Sequence, residues 1–459
     1  MDCRNVRCIM NATKKLIALC VSMFTMFTFT LNASPLKCNF TSADISTTPD
    51  EHVMLAGFAA RTELSNGIHL QLRTSCLTIS DGNEKVCIIS NDLMEVSPAL
   101  ADEIRDSISA RSGLAKERIL MHNIHSHSAP RMGGVAAQPG GSNYEYRIRS
   151  SETIISNAVK CITSESDYKP FHLEIAEGSA YINYNRCETA GPVDRTLYAA
   201  KIVTAEGKPI CAFYNYACHP VSMGPESLLL SSDYSGVARG IISKKWGCEV
   251  FQLTGAAGNM DPVGGSQKKE HAEVIGTQLA EILSSLKFKK VKRDNVLKFA
   301  TGKAELPYLI DNITVDAIKA HADEISGIKT DFPSFSSDVR RWEAEILGRL
   351  EKGPIKNTLD FNLSAVNIDG VIFFFTQGEP FCEYQMDVRK AFPSEMIFFA
   401  GYTNGQNSYL PSEHAYQFRK GYEYEIEQMH IYIKSPYPLS PRMPEVYRKG
   451  TINTINKVK

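Results

Sequence analysis

The sequence predicts a layered α/β fold, mixed α+β in character, with mixed β-sheets flanked by helices. Three observations carry it. Apolar runs of strand length recur both as hairpins and in alternation with helical segments. A helical segment carries its own start and stop residues. Five clusters of polar and small residues follow directly on apolar runs, where strand ends in sheet proteins open into clefts. At 459 residues the chain exceeds one simple core, and residues 34–459 are read as a single large domain.

In chain order, "IHLQLRTSCLTIS" (68–80) and "KVCIISNDL" (85–93) flank "DGNE" and read as a hairpin. "SPALADEIRDSISARSGL" (97–114) reads as a helix: Ser97 caps it, Pro98 suits its first position and Gly113 stands near its end. "RILMHNIHSH" (118–127) reads as a buried strand and "NYEYRIRSSETIISNAVKCITS" (143–164) as a second helix. Two strands follow in "LYAAKIVTAEGKPICAFYNYA" (197–217) around a Gly-Lys turn, then a helix near 235–246. Next come the strand "CEVFQLTG" (248–255) and a helix over "QKKEHAEVIGTQLAEILSSLK" (267–287). Residues 311–355 are charged and helical and read as an insert or cap. "FNLSAVNIDGVIFFFTQGEP" (361–380) returns to a hairpin, followed by a helix and the strand "EMIFFAGYTNG" (395–405).

Composition excludes several classes. Residues 1–33 combine Arg4, Arg7, Lys14 and Lys15 with an apolar run and a small residue, Ala33, the pattern of a secretory signal peptide. The run is about 16 residues long, short of the roughly 20 that a membrane span needs. Export, periplasmic or secreted, is therefore expected; a retained anchor is the alternative. The whole chain is net −1 without any basic stripe, so nucleic acid is not an expected partner. Beyond the leader stand nine cysteines, an odd number with no CxxC pair. That spacing excludes a small disulfide-framed fold and argues against a cysteine-ligated zinc site.

The chemistry concentrates in "NIHSHSAPRMGG", "NYACHPVSM", "TGAAGNMDP", "TQGEPF" and "GYTNGQNSYLPS". On a strand, His125 and His127 are two apart and share one face, which suits zinc, or one ligand beside an acid/base partner. His122 falls on the opposite face and reads as structural. His219 ends its strand before Pro220, where pairing stops. Glu379 follows a run of apolar residues, so its carboxylate must be solvated, paired or metal-bound. Taken singly, each of these also admits a bland structural reading, and Tyr409 reads as a packed loop aromatic.

Together they resemble the catalytic domain of the neutral/alkaline, non-lysosomal ceramidases. "MLAGFAARTELSNGIHLQLRTSCLTISDG", "NIHSHSAP", "INYNRCETAGP", "NYACHPVSM", "GAAGNMDP", "QGEPF" and "GYTNGQNSYLPSEHAY" resemble that family's segments in the same order, from about residue 50 to 425. The resemblance implies a ceramidase-like catalytic domain, Zn²⁺ as cofactor, and an N-acylated lipid or small molecule as substrate, with peripheral membrane contact admitted. It makes His125, His219, Glu379 and Tyr409 zinc ligands. It places His127 and Arg186 beside the scissile amide, and Tyr422 with them. His127 then handles a proton and Arg186 stabilises an oxyanion.

Two departures stand out. Asp261 occupies the place of the family's serine, and either serves the site or holds its loop. The family's C-terminal β-domain is expected to be absent. The expected activity is zinc-assisted cleavage of an amide. A zinc esterase on the same scaffold, or an exported binding protein with a non-catalytic zinc site, is the alternative.

Overall fold

Two mixed β-sheets pack face to face, and helices cover the outer side of each. The computed structural model describes residues 35–58, 60–328 and 334–459; the expected signal peptide lies outside them. The main strands of the first sheet are β1 (Lys37–Asp44), β2 (Arg73–Ser80), β3 (Lys85–Asn91), β4 (Ile119–Asn123), β5 (Lys169–Ser179), β6 (Thr196–Thr204), β7 (Pro209–Tyr216) and β8 (Glu249–Thr254). They lie in the order β8-β7-β6-β5-β1-β2-β3-β4. The second sheet, in the order β9-β10-β11-β12, is built from β9 (Leu297–Pro307), β10 (Thr358–Ile368), β11 (Val371–Thr376) and β12 (Ile397–Ala400). Neighbours run antiparallel except β3/β4, β7/β8 and β11/β12, which are parallel.

Why the sheets meet is legible in their residues. Strands β7, β8 and β11 are buried at nearly every position, as a sheet covered on both faces requires. Phe213, Phe251, Phe373 and Phe398 form one core between the two sheets, with ring centroids 4.9–5.6 Å apart. On the outer face of the first sheet lie α1 (Pro98–Ser112) and α2 (Tyr144–Thr163), then α3 (Asp233–Trp246) and α4 (Lys269–Ser285). The second sheet is covered by α5 (Val315–Ser326), α6 (Phe335–Leu350), α7 (Cys382–Ala391) and α8 (Met443–Asn456). Ser97 caps α1 by accepting from the Leu100 amide, Pro98 opens the helix, and Gly113 ends it with φ 77°.

The insert expected at 311–355 forms α5 and α6, apart from the undescribed 329–333. It packs Ile318, Val339, Trp342 and Ile346 against Ile426, Met429 and Ile431 in the same core. No helix among the described residues is long and apolar enough to cross a membrane.

Two strand boundaries correct the expectation from sequence. β4 stops at Asn123, and His125 lies beyond it in a left-handed conformation with φ 72°. β7 stops at Tyr216, three residues before His219. Strand alternation therefore does not aim His125 and His127; the loop does. His122 is on the strand, as expected, and is structural. Its Nδ1 donates to the Gly401 carbonyl and its Nε2 accepts from the Thr254 amide, both at 2.9 Å, tying β4 to the ends of β8 and β12. Burial lowers its pKa to about 3, so it remains a neutral tie.

Candidate metal centre

The candidate residues stand where the carboxyl ends of the parallel strands converge. His125 follows β4, His219 follows β7, Asp261 follows β8, Glu379 follows β11, and the loop of Tyr402 to Tyr409 follows β12. Glu379 and Tyr409 are direct partners in a short parallel ladder, Glu379–Pro380 against Tyr409–Leu410. That ladder brings two residues 30 positions apart to one rim.

Three ring nitrogens and a carboxylate converge there. The Nε2 atoms of His125 and His219 lie 3.2 and 2.9 Å from Glu379 Oε2. His127 Nε2 lies 3.2 Å from His125 Nε2. Ligand atoms of His125, His127 and His219 all fall within 4.8 Å of one another. His125 and His219 are fully buried and Glu379 is 1 % exposed.

The tautomers follow from the other ring nitrogens. His125 Nδ1 donates to the Met94 carbonyl at 3.1 Å, and His219 Nδ1 donates to the Ala257 carbonyl at 2.6 Å. Each imidazole thus presents an Nε2 lone pair towards the carboxylate oxygen, an arrangement that a cation between them satisfies. Gln406 Nε2 donates to Glu379 Oε1 and leaves Oε2 for the imidazoles. Burial raises the Glu379 carboxyl, and positive charge and donated hydrogen bonds at the His125 and His219 nitrogens outweigh it and hold the carboxyl well below its usual range; with an Nε2 lone pair on each ring, a bound cation is what supplies that charge. Burial lowers His219 and His127, keeping both imidazoles neutral.

Arg186 is placed by the ladder Asn183–Asn185 against Met260–Pro262, in which Asp261 pairs Tyr184. Its Nη2 donates to the Tyr409 hydroxyl and to Glu425 Oε1, each at 3.0 Å, and Nη1 lies 3.7 Å from Asp261 Oδ1. Asp261 Oδ1 is 3.9 Å from His219 Nδ1, whose proton goes to Ala257 instead. Asp261 therefore stands between Arg186 and His219 without holding the histidine.

The structure brings His125, His127, His219 and Glu379 together, with Tyr409, Arg186 and Asp261 around them. Tyr422 is engaged elsewhere. Its hydroxyl donates to Glu188 at 3.0 Å and its ring packs against Phe381 and His414. Tyr424, two residues on, has its ring 6.3 Å from that of Tyr409.

Sequence reasoning missed Tyr402, Gln406 and Glu425. Tyr402 packs its ring 4.5 Å from that of His125 with φ 53°, an unusual conformation for an aromatic residue. Among the described residues, His127 Nδ1, Arg186 Nε, Asp261 Oδ1, Tyr402 OH, Gln406 Oε1 and Glu425 Oε2 are all buried without a hydrogen-bond partner. Such a concentration fits a site completed by an ion and a bound molecule.

Residues 40–252 match the family model for neutral/alkaline non-lysosomal ceramidase, N-terminal. That span includes His125, His127, Arg186 and His219. The chain is 24 % identical over 236 residues to a neutral ceramidase of Oryza sativa subsp. japonica, covering 45 % of this chain and 29 % of that protein. Over 206 residues it is 24 % identical to neutral ceramidase B of Dictyostelium discoideum, covering 40 % of this chain and 29 % of the other. Over these spans the chain is similar to the neutral ceramidases, and it spans under a third of the length of the curated relatives it matches. A crystal structure of neutral ceramidase from Pseudomonas aeruginosa superposes with a TM-score of 0.67 at 17 % identity, covering 92 % of this chain and 74 % of that one. The fold is therefore shared with neutral ceramidases well beyond the matched span, through the part that carries Glu379 and Tyr409.

Proposed function

We propose that this relative of the neutral ceramidases is an exported, zinc-dependent hydrolase that cleaves the amide of an N-acylated lipid or small molecule. The observation that carries the zinc reading is the pair of Nε2 lone pairs, each fixed by a backbone carbonyl behind it and aimed at Glu379. Zinc would be held by His125, His219 and Glu379, with Tyr409 as the fourth ligand. Bound there, it supplies Lewis-acid polarisation and lowers the pKa of a water towards neutrality. Export is supported by the basic and apolar leader.

The chain's own residues would then share the remaining work. His127, neutral and buried, takes the proton of the attacking water and returns it to the leaving nitrogen. Arg186 is kept charged by the Asp261 and Glu425 carboxylates despite its burial, and it stabilises the developing oxyanion.

A hydrolysis screen with fluorogenic N-acyl and O-acyl substrates, run with and without chelator, tests the reading. Chelator-sensitive turnover of N-acyl substrates is expected; chelator-insensitive activity would overturn it. Asp261→Asn is expected to lower turnover while leaving metal content unchanged, because Asp261 touches no Nε2 donor. Metal analysis beside kcat checks this, and a fall in metal content with activity would make Asp261 a support of the metal site.

A further inference from the structure

We infer that Glu425 is the positioning residue for Arg186. The inference rests on the reading of Arg186 as the group that faces the scissile bond. Arg186 Nη2 is shared between a neutral phenol, Tyr409, and a carboxylate, Glu425, at 3.0 Å each. The carboxylate is the stronger partner, since charge-assisted hydrogen bonds are about twice as strong as neutral ones. The opposite arm, Nη1, lies 3.7 Å from Asp261 Oδ1, beyond hydrogen-bond reach. Two carboxylates thus flank one guanidinium, and only one of them engages it. Glu425 decides which way the planar group faces.

The backbone around Glu425 is built for that task. Glu425 sits in a single π-helical turn, Tyr424–Gln428, inserted before the short helix Met429–Tyr432. Such turns concentrate at functional sites because they re-aim a side chain at a cost in helix geometry. The Glu425 side chain is only 5 % exposed, so its carboxylate has lost most of its hydration. Burial on that scale is tolerated where a cation answers it, and Arg186 is that cation.

The expected insert holds this turn from behind. Trp342 Nε1 on α6 donates to the Ser435 carbonyl at 2.7 Å, and Arg349 donates to the Lys434 carbonyl at 2.8 Å. His321 Nε2 on α5 meets His430 Nε2 at 3.1 Å, and Ile426 and Ile431 lie in the core with Ile318 and Trp342. Helices 75 or more residues earlier in the chain thereby fix a carboxylate that fixes Arg186.

The test uses the full chain, zinc-loaded, with Glu425→Gln, Glu425→Ala, Arg186→Ala and the Arg186→Ala/Glu425→Ala double variant. Glu425→Ala is expected to lower kcat by about 10- to 100-fold with KM unchanged, the range found for residues that orient a site from behind. Glu425→Gln, which keeps the acceptor, is expected to recover part of that loss. The double variant should be no slower than Arg186→Ala, since Glu425 acts only through the arginine.

A second readout needs no substrate: the rate at which phenylglyoxal labels Arg186, followed by peptide mass spectrometry. Labelling is expected to be several-fold faster in Glu425→Gln than in the parent chain. If the protein turns over no acyl substrate, the labelling rate still decides the matter. Losses that multiply in the double variant, or a labelling rate unchanged by Glu425→Gln, would overturn the assignment.

Discussion

Replacing His125 by alanine is expected to abolish metal binding and to lower kcat/KM by at least about a thousandfold, roughly 4 kcal/mol of transition-state stabilisation. His219→Ala should do the same. Each substitution removes one of two imidazoles whose Nδ1 is already committed to a backbone carbonyl. The neighbouring nitrogen, His127 Nε2 at 3.2 Å from His125 Nε2, already belongs to the same cluster, so either variant leaves the site one nitrogen short. The Glu379 carboxylate then keeps one imidazole where it had two, inside a site with almost no solvent contact. Metal content per chain and hydrolysis, measured on the same preparations, check the result. His122→Ala is the matching control. That ring binds the Gly401 carbonyl and the Thr254 amide rather than the centre. Thr403 Oγ1 still donates to the Gly401 carbonyl, so loss of the ring should cost about 1–3 kcal/mol for the Thr254 amide left unpaired, seen in denaturant unfolding, while the surviving folded protein keeps its metal. A His125→Ala protein that retains both metal and activity would sink the assignment.

How much of this was legible in the chain depends on the range of the interaction. Ser97, Pro98 and Gly113 specify α1 within a few residues of themselves, and the helix starts and stops where they stand. The strand pair β10–β11 is likewise local, turning at Asp369 and Gly370, both with positive φ. Strand β9 was not recognised. In "LKFATGKAELP" half-buried and exposed positions interleave, because β9 forms one edge of its sheet, so the run lacks the apolar density that marks β11.

At the site, the resemblance to a known family pointed to His125, His219 and Glu379, and the structure brings them together. Alternation along a strand was the wrong reason for aiming His125 and His127. The strand had already ended, and a left-handed residue turned His125 inward. Glu425 and Gln406 could not be read from sequence, since their partners lie 239 and 27 residues away and only the packed fold supplies them. Tyr422 shows the converse. A tyrosine in the right stretch is engaged with Glu188, while Tyr424 turns towards Tyr409, so in an irregular turn the sequence specifies the residue type better than its direction.

The largest effect expected from a residue with no reactive group is that of Gly57→Ala. Gly57 has φ 95°, and a Cβ built on it would lie 2.4 Å from His127 Cγ and Nδ1 and 2.5 Å from His127 Cβ. Something must move, and the surroundings decide what. The backbone on either side is held by Arg61, which donates to the Ala56 carbonyl at 2.7 Å, to the Gly224 carbonyl at 3.0 Å, and to the His127 carbonyl. One guanidinium thus clamps the Gly57 turn and the His127 loop together, so neither backbone can retreat. The imidazole yields instead, and its room is limited by Phe58, whose ring is 5.1 Å away, and by His125 at 4.9 Å. Alanine also carries about 1–2 kcal/mol of left-handed backbone strain, a modest loss of stability. The chemical loss should be larger. A displaced proton acceptor forfeits general acid/base catalysis worth about 10²- to 10⁴-fold, so Gly57→Ala should approach His127→Ala in kcat. Metal analysis of the two variants then separates the two roles open to His127. Retained zinc with lost turnover is expected of a proton acceptor standing beside the metal. Zinc lost from both would make His127 the third nitrogen ligand, consistent with the close approach of its Nε2 to that of His125.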